Sequence, residues 1–196
     1  MAARVTERLA ACGMEVRGFV TREVREAGRR VGFQVEAVDG AGATLAHVSL
    51  PGPPRVGRYG VDLDAFERVA LPALAEPPPQ GVVVVDELGK MELASGRFRE
   101  AFTRLLETPV AVVATVHLAR DPFTDRLRRR PDVELVRVTR AGRDDLPAQI
   151  AARLRSADQS SSERQSEPCL DSPMPRHELA PKPVHGDYCE RGDKVD

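Results

Sequence analysis

Two acidic residues stand side by side at Asp86 and Glu87, immediately after four consecutive valines, Val82, Val83, Val84 and Val85. A run of β-branched residues that short, without polar alternation, reads as a strand buried on both faces rather than a helix. In an open α/β sheet such a strand delivers whatever follows it into the crevice at the carboxyl ends of the strands, where ligands bind. Adjacent carboxylates at that position suit two tasks, one holding a hard divalent cation and the other taking a proton from an attacking water. Taken alone, four apolar residues followed by Asp-Glu also describe a strand that simply runs out into solvent. The string beyond them decides between the two.

Other residues that can do chemistry carry weaker signals. His117 follows the apolar run Val110 to Val116 and either touches a ligand or is a solvated loop histidine. Arg25, Arg29 and Arg30 flank a turn at Ala27-Gly28, and their guanidinium forks suit phosphates as well as an ordinary charged hairpin surface. Arg126, Arg128, Arg129 and Arg130 lack the aromatic interleaving of a nucleic-acid surface and read instead as a charged helix end. Cys12, Cys169 and Cys189 have no metal-ligand spacing, so a zinc site or disulfide framework is not expected.

The elements that must position the carboxylates follow from periodicity. Val5, Leu9 and Cys12 recur at helical spacing and Gly13 stops the helix, giving Ala2 to Cys12. Val16 to Thr21 and Arg30 to Val38 read as strands, the second alternating Val31, Phe33, Val35 and Ala37 against polar neighbours, and Thr44 to Leu50 as a short third. Asp64 is the candidate cap of a helix through Leu74 with a bend at Pro72, and Ser95 of one through Leu106. Val110 to Val116 and Val133 to Val138 repeat the buried-strand pattern, and a last helix spans about Arg143 to Leu154. Strands alternating with helices predict an α/β domain, residues 1–155, on a mainly parallel sheet with a small β-hairpin excursion.

From Ser156 to Asp196 five prolines, three successive serines and sparse large apolar residues predict disorder. That segment holds five basic and nine acidic residues, leaving 24 basic against 21 acidic in the body, a weak bias toward anionic ligands. No stretch of eighteen apolar residues is present and the first residues lack a signal-peptide core, so the expectation is a cytoplasmic protein.

Read whole, Asp86-Glu87-Leu88-Gly89-Lys90-Met91-Glu92 has the form of a Walker B strand end. It resembles the DE-hydrophobe-G-x-ME signature of the small P-loop nucleoside-triphosphatase family of thermophilic microbes and animals, which includes the cancer-related nucleoside-triphosphatases. Two further blocks are similar to the same family: Gly18 to Arg25 with Gly28 to Phe33, and Arg55 to Tyr59 continuing through Asp62, Leu63 and Phe66. The resemblance covers roughly Ala2 to Leu154. It implies a RecA-like P-loop NTPase fold and Mg2+-dependent hydrolysis of ATP, GTP, CTP and UTP to diphosphate and phosphate; a monomer is expected, and the composition gives no reason to expect nucleic acid or membrane as partners. It implies Glu87 as the catalytic base, Asp86 as the metal ligand, and Val82 to Gly89, through Leu88, as the nucleotide-binding strand.

The chain departs from that family in two places. A loop of the form G-x-x-x-x-G-K-[ST], whose amides and lysine neutralise a triphosphate, does not occur in the 196 residues. Because the family's first helix corresponds to Ala2 to Cys12, the expectation is a chain lacking the first strand and its loop, with little or no hydrolysis. A non-catalytic nucleotide-binding or interaction isoform is the alternative. The connection His117 to Pro122 is also shorter than in the animal members.

Overall fold

The computed structural model describes residues 1–165, with side chains to 156. The helices are α1 (Ala2–Ala11), α2 (Leu63–Ala75), α3 (Gly96–Leu105), α4 (Pro122–Leu127) and α5 (Leu146–Gln165). The strands are β1 (Glu15–Glu26), β2 (Arg29–Ala37), β3 (Gly42–His47), β4 (Arg55–Val56), β5 (Tyr59–Val61), β6 (Gly81–Leu88) and β7 (Ala111–Val116). They form one sheet in the order β4-β5-β3-β2-β1-β6-β7.

The α/β architecture follows the sequence reading, and the sheet itself corrects one part of it. Only β1 with β6 and β6 with β7 run parallel. The pairs β1 with β2, β2 with β3, β3 with β5 and β4 with β5 are antiparallel. The expected hairpin excursion is thus an extension of the same sheet, making it mixed rather than mainly parallel. The cause is local: turns at Ala27-Gly28 and Asp39-Gly40 return the chain at once, whereas a parallel neighbour needs a long crossover.

Helices cover both faces. One cluster joins Phe19, Val83, Val85 and Leu88 to α2 through Phe66 and Leu74, to α3 through Phe98 and Phe102, and to α4 through Phe123. The other joins Val20, Val82 and Val84 to Ala2, Val5 and Leu9 of α1 and Ala151 of α5. Alternation along β6 therefore sends successive valines to opposite layers, as a strand buried on both faces requires. Phe98 sits at the centre of the first layer, with ring centroids 5.7 Å from Phe19, 5.1 Å from Phe66 and 6.2 Å from Phe102.

Gly18 permits the central pairing. Its φ is +108°, and a Cβ there would stand 1.9 Å from the Val84 carbonyl oxygen, so no side chain fits between β1 and β6. The helix caps are local too: the Ser95 hydroxyl accepts from the Phe98 amide at 3.0 Å and Asp62, not the expected Asp64, accepts from Ala65 at 2.8 Å.

Two boundaries differ from expectation. Val133 to Val138 joins no ladder, and Leu135, Val136 and Val138 are exposed at 60%, 44% and 50%, so the predicted third buried strand does not form. Its alternation is compatible with a strand, but a strand exists only where a neighbour takes its N–H and C=O groups. Helix α5 continues to Gln165, ten residues past the expected domain end, and the rest of the predicted tail lies outside the described residues. Among the described residues no helix is long and apolar enough to cross a membrane.

Candidate active site

Asp86 and Glu87 stand in an irregularity of the central parallel ladder. On the β7 side Val85 pairs with Ala114 and Leu88 with Val116, so two residues of β6 oppose the single residue Thr115. On the other side Asp86 registers with Val20 of β1. A two-against-one bulge re-aims the side chains of the longer strand and is common beside active sites. Here both carboxylates become half-buried immediately after four fully buried valines. The peptide between them is cis.

The two acids have different surroundings. The Thr115 hydroxyl donates to Asp86 Oδ1, which orients that carboxylate and leaves its second oxygen available. The Glu87 side chain makes no hydrogen bond or ion pair among the described residues. Burial pushes its proton affinity up, the neighbouring Asp86 charge adds to this, and His117 opposes it. A third acid, Glu92, lies behind them in the 3-10 turn Glu92–Ala94 and is 3% exposed. Burial raises it to about 8, with the Glu87 and Asp86 charges acting in the same direction and the amides of Glu92 and Gly89 opposing.

Gly89 allows this convergence. A Cβ on it would lie 2.5 Å from Glu87 Oε1 and 2.8 Å from Glu92 Oε2. Helix α1 leads through the turn at Gly13 into β1 and packs against it, so it runs back along the sheet. Its first turn is therefore at the carboxyl end of the parallel strands, the end that carries Asp86. On β1 the Thr21 hydroxyl, one residue beyond the Val20–Asp86 pair, is buried without a partner.

The sequence-expected residues separate into those at the carboxylate pair and those elsewhere. Val82, Val83, Val84 and Val85 are each 0% exposed and packed into the two cores. Their side chains pack into the cores, and the strand they build carries the carboxylates. Leu88 is likewise buried, and Gly89 contributes its missing Cβ and its amide. His117 follows β7, close enough to affect Glu87, and its Nδ1 accepts the Ala119 amide.

Arg25, Arg30, Arg128 and Arg130 are engaged within the fold, Arg126 lies over the Phe123 ring, and the Arg29 and Arg129 side chains make no hydrogen bond or ion pair among the described residues. Arg25 and Arg30 both bind Glu23, each at 2.6 Å, and Arg30 also donates to the Tyr59 hydroxyl. These guanidiniums hold the Glu23 carboxyl below its usual range. Arg128 binds Asp125 and the His117 carbonyl, and Arg130 binds Asp132, Glu107 and the Leu106 carbonyl. A groove of about 440 Å³ between α2 and α3, lined by Leu71, Leu74, Arg97, Arg104 and others, contains none of the three acids.

Sequence reasoning missed Thr115, Thr21 and Glu92. Nothing local ties a threonine in an apolar strand to an aspartate 29 residues away. Glu92, in contrast, belongs to the signature string and needed only the recognition that a glycine between acids lets them meet.

Asp86 supplies hard carboxylate oxygen, and among the described residues no cluster of three or more His, Cys, Asp or Glu could enclose a metal. That donor set fits Mg2+, which commonly takes one or two carboxylates and completes its shell with phosphates and water.

The NTPase family profile matches residues 1–151. The chain is 39% identical over 168 residues to the cancer-related nucleoside-triphosphatase homolog of Mus musculus, covering 79% of this chain and 88% of that protein. It is 40% identical over 158 residues to the nucleoside-triphosphatase THEP1 of Thermofilum pendens, covering 78% and 86%. The crystal structure of THEP1 from Aquifex aeolicus superposes with a TM-score of 0.70 at 30% identity over 78% of this chain and 91% of that one. The solution structure of a human cancer-related nucleoside triphosphatase gives 0.68 at 38% identity over 79% and 89%. With its P-loop-type α/β sheet, its DE-L-G-K-M-E strand end and these relatives, the chain belongs to the NTPase family.

Proposed function

We propose that Asp86 and Glu87 form the acidic half of a centre that hydrolyses nucleoside triphosphates to diphosphate and phosphate. The observation that carries this reading is the asymmetry of the pair: Asp86 is clamped by Thr115, whereas Glu87 is unpaired with its proton affinity raised. A bound Mg2+, held through Asp86, would neutralise charge on the phosphate oxygens. Glu87 accepts a proton from water as the water oxygen bonds to the terminal phosphorus and the bridging P–O bond breaks toward the diphosphate. A carboxylate with raised proton affinity is the better acceptor near neutral pH. The substrates in this reading are ATP, GTP, CTP and UTP, and the Walker B role of the β6 end follows from it.

The same reading assigns this chain little turnover. The lysine-bearing glycine loop that would cradle the triphosphate is not among its 196 residues, and loss of preorganised charge stabilisation costs orders of magnitude in rate. The second reading is a nucleotide binder or interaction module without hydrolysis.

Calorimetric titration of ATP and GTP, with and without Mg2+, tests the metal-linked site. The expected result is binding that requires Mg2+ and weakens at least about tenfold in Asp86→Asn, the scale typical of altered metal ligation. Equal affinity with and without Mg2+, unchanged by the substitution, would remove Asp86 from the site.

A further inference from the structure

Among the described residues Glu92 is the buried charged side chain, and the backbone amides of Glu92 and Gly89, rather than another side chain, engage its carboxyl. A buried carboxyl with no cation beside it is costly, and retaining one calls for a reason in its surroundings. Those surroundings are specific. The Gly89 amide acts on the Glu92 carboxyl, and the space a Cβ on Gly89 would take is met by both Glu87 Oε1, at 2.5 Å, and Glu92 Oε2, at 2.8 Å. The Leu93 amide closes the turn by donating to the Gly89 carbonyl at 2.9 Å, and the Ser95 amide donates to the Glu92 carbonyl at 3.1 Å. Leu93 is buried in the same core as Leu88, which anchors the turn at both ends.

We propose that Glu92 is a positioning residue for Glu87, acting across Gly89: its buried carboxyl pins the turn that closes β6 and fixes where the Glu87 carboxylate stands. The proposal rests on the hydrolytic reading of Glu87 for its functional meaning, but its geometry can be tested separately. Burial keeps Glu92 largely protonated at neutral pH, so it supports the turn without adding a full negative charge beside Glu87 and Asp86. A side chain with the same length and a neutral oxygen acceptor should therefore substitute for it, and a methyl group should not.

The test uses the complete 196-residue chain and its Glu92→Ala, Glu92→Gln and Gly89→Ala variants. Amide hydrogen exchange at Gly89 and the Glu87 side-chain carboxyl signal are read by NMR at one pH, with Val84 and Phe98 amides as controls. Glu92→Ala is expected to raise Gly89 exchange at least about tenfold and displace the Glu87 signal while the controls stay as they were. Glu92→Gln is expected to restore both readings.

Gly89→Ala, which places a methyl between the acids with Glu92 intact, should displace the Glu87 signal, and it carries the test if Glu92→Ala does not fold. Unchanged Gly89 exchange and an unchanged Glu87 signal in Glu92→Ala, an unchanged Glu87 signal in Gly89→Ala, or equal loosening of Val84 and Phe98, would overturn the proposal. Phosphate release from Mg-ATP is measured on the same proteins and on versions with a glycine-rich phosphate loop joined ahead of Met1. There Glu92→Ala should lower kcat with little change in KM. Absence of release from every version would sink the hydrolytic reading, whereas the exchange data would still decide whether Glu92 positions Glu87.

Discussion

The three acids of the site are separated by what surrounds each of them, and their substitutions should be separable too. Thr115→Val removes the hydroxyl that orients Asp86 while nearly preserving volume, and should weaken Mg-nucleotide binding about tenfold, since loss of a group that orients a metal ligand costs on that scale. Binding equal to wild type in calorimetry would make the contact incidental. Glu92 carries a pH signature. Its proton is held more tightly in the folded protein, near 8, than the ordinary carboxyl value of 4.5. Stability from this group is therefore present in acid and lost as pH rises from about 4.5 toward 8, by roughly 1.4 kcal/mol per pH unit. Between pH 5 and 7 the wild type should lose stability relative to Glu92→Gln in denaturant titrations. Parallel curves for the two proteins would contradict the buried-acid assignment.

The elements show which parts of the site are written locally. The run Val82 to Val85 declared β6 because nothing but a two-sided buried strand suits four valines in succession, and Asp86-Glu87 followed directly from where it ends. Ser95 was equally legible as a cap. Ser95→Ala should cost about 1 kcal/mol, and somewhat more because the same hydroxyl donates to Glu67 at 2.6 Å. What the sequence could not disclose is lateral. The match of two β6 residues to one of β7, which aims the carboxylates, depends on register between strands 29 residues apart. Val133 to Val138 has strand-like composition, but pairing is decided by neighbours, and the ladder on that side ends at β7. Phe98, which binds β1 to α2 and α3 through three ring contacts, is the packing keystone of this layer. Phe98→Ala should destabilise by about 3–5 kcal/mol in chemical denaturation, and a loss under 1 kcal/mol would mean the layer repacks freely.

At the scale of the molecule, the sheet divides the work. The antiparallel strands β2 to β5 extend it, with Arg30 of β2 engaging Glu23 and Tyr59 and Arg22 of β1 engaging Glu36 across the β1–β2 pair, while β6 of the parallel core carries Asp86 and Glu87. The family match extends over residues 1–151, and the proposed chemistry needs neutralisation of the phosphates beyond what Asp86 and Glu87 offer. The most direct test is therefore phosphate release from Mg-ATP by three proteins: the chain itself, the chain with a glycine-rich phosphate loop and strand joined ahead of Met1, and that extended protein carrying Glu87→Gln. Weak or no release from the first, clear release from the second, and a loss of at least about a hundredfold in the third are predicted, the range a positioned base contributes. Release by the extended protein that is indifferent to Glu87→Gln would contradict the account.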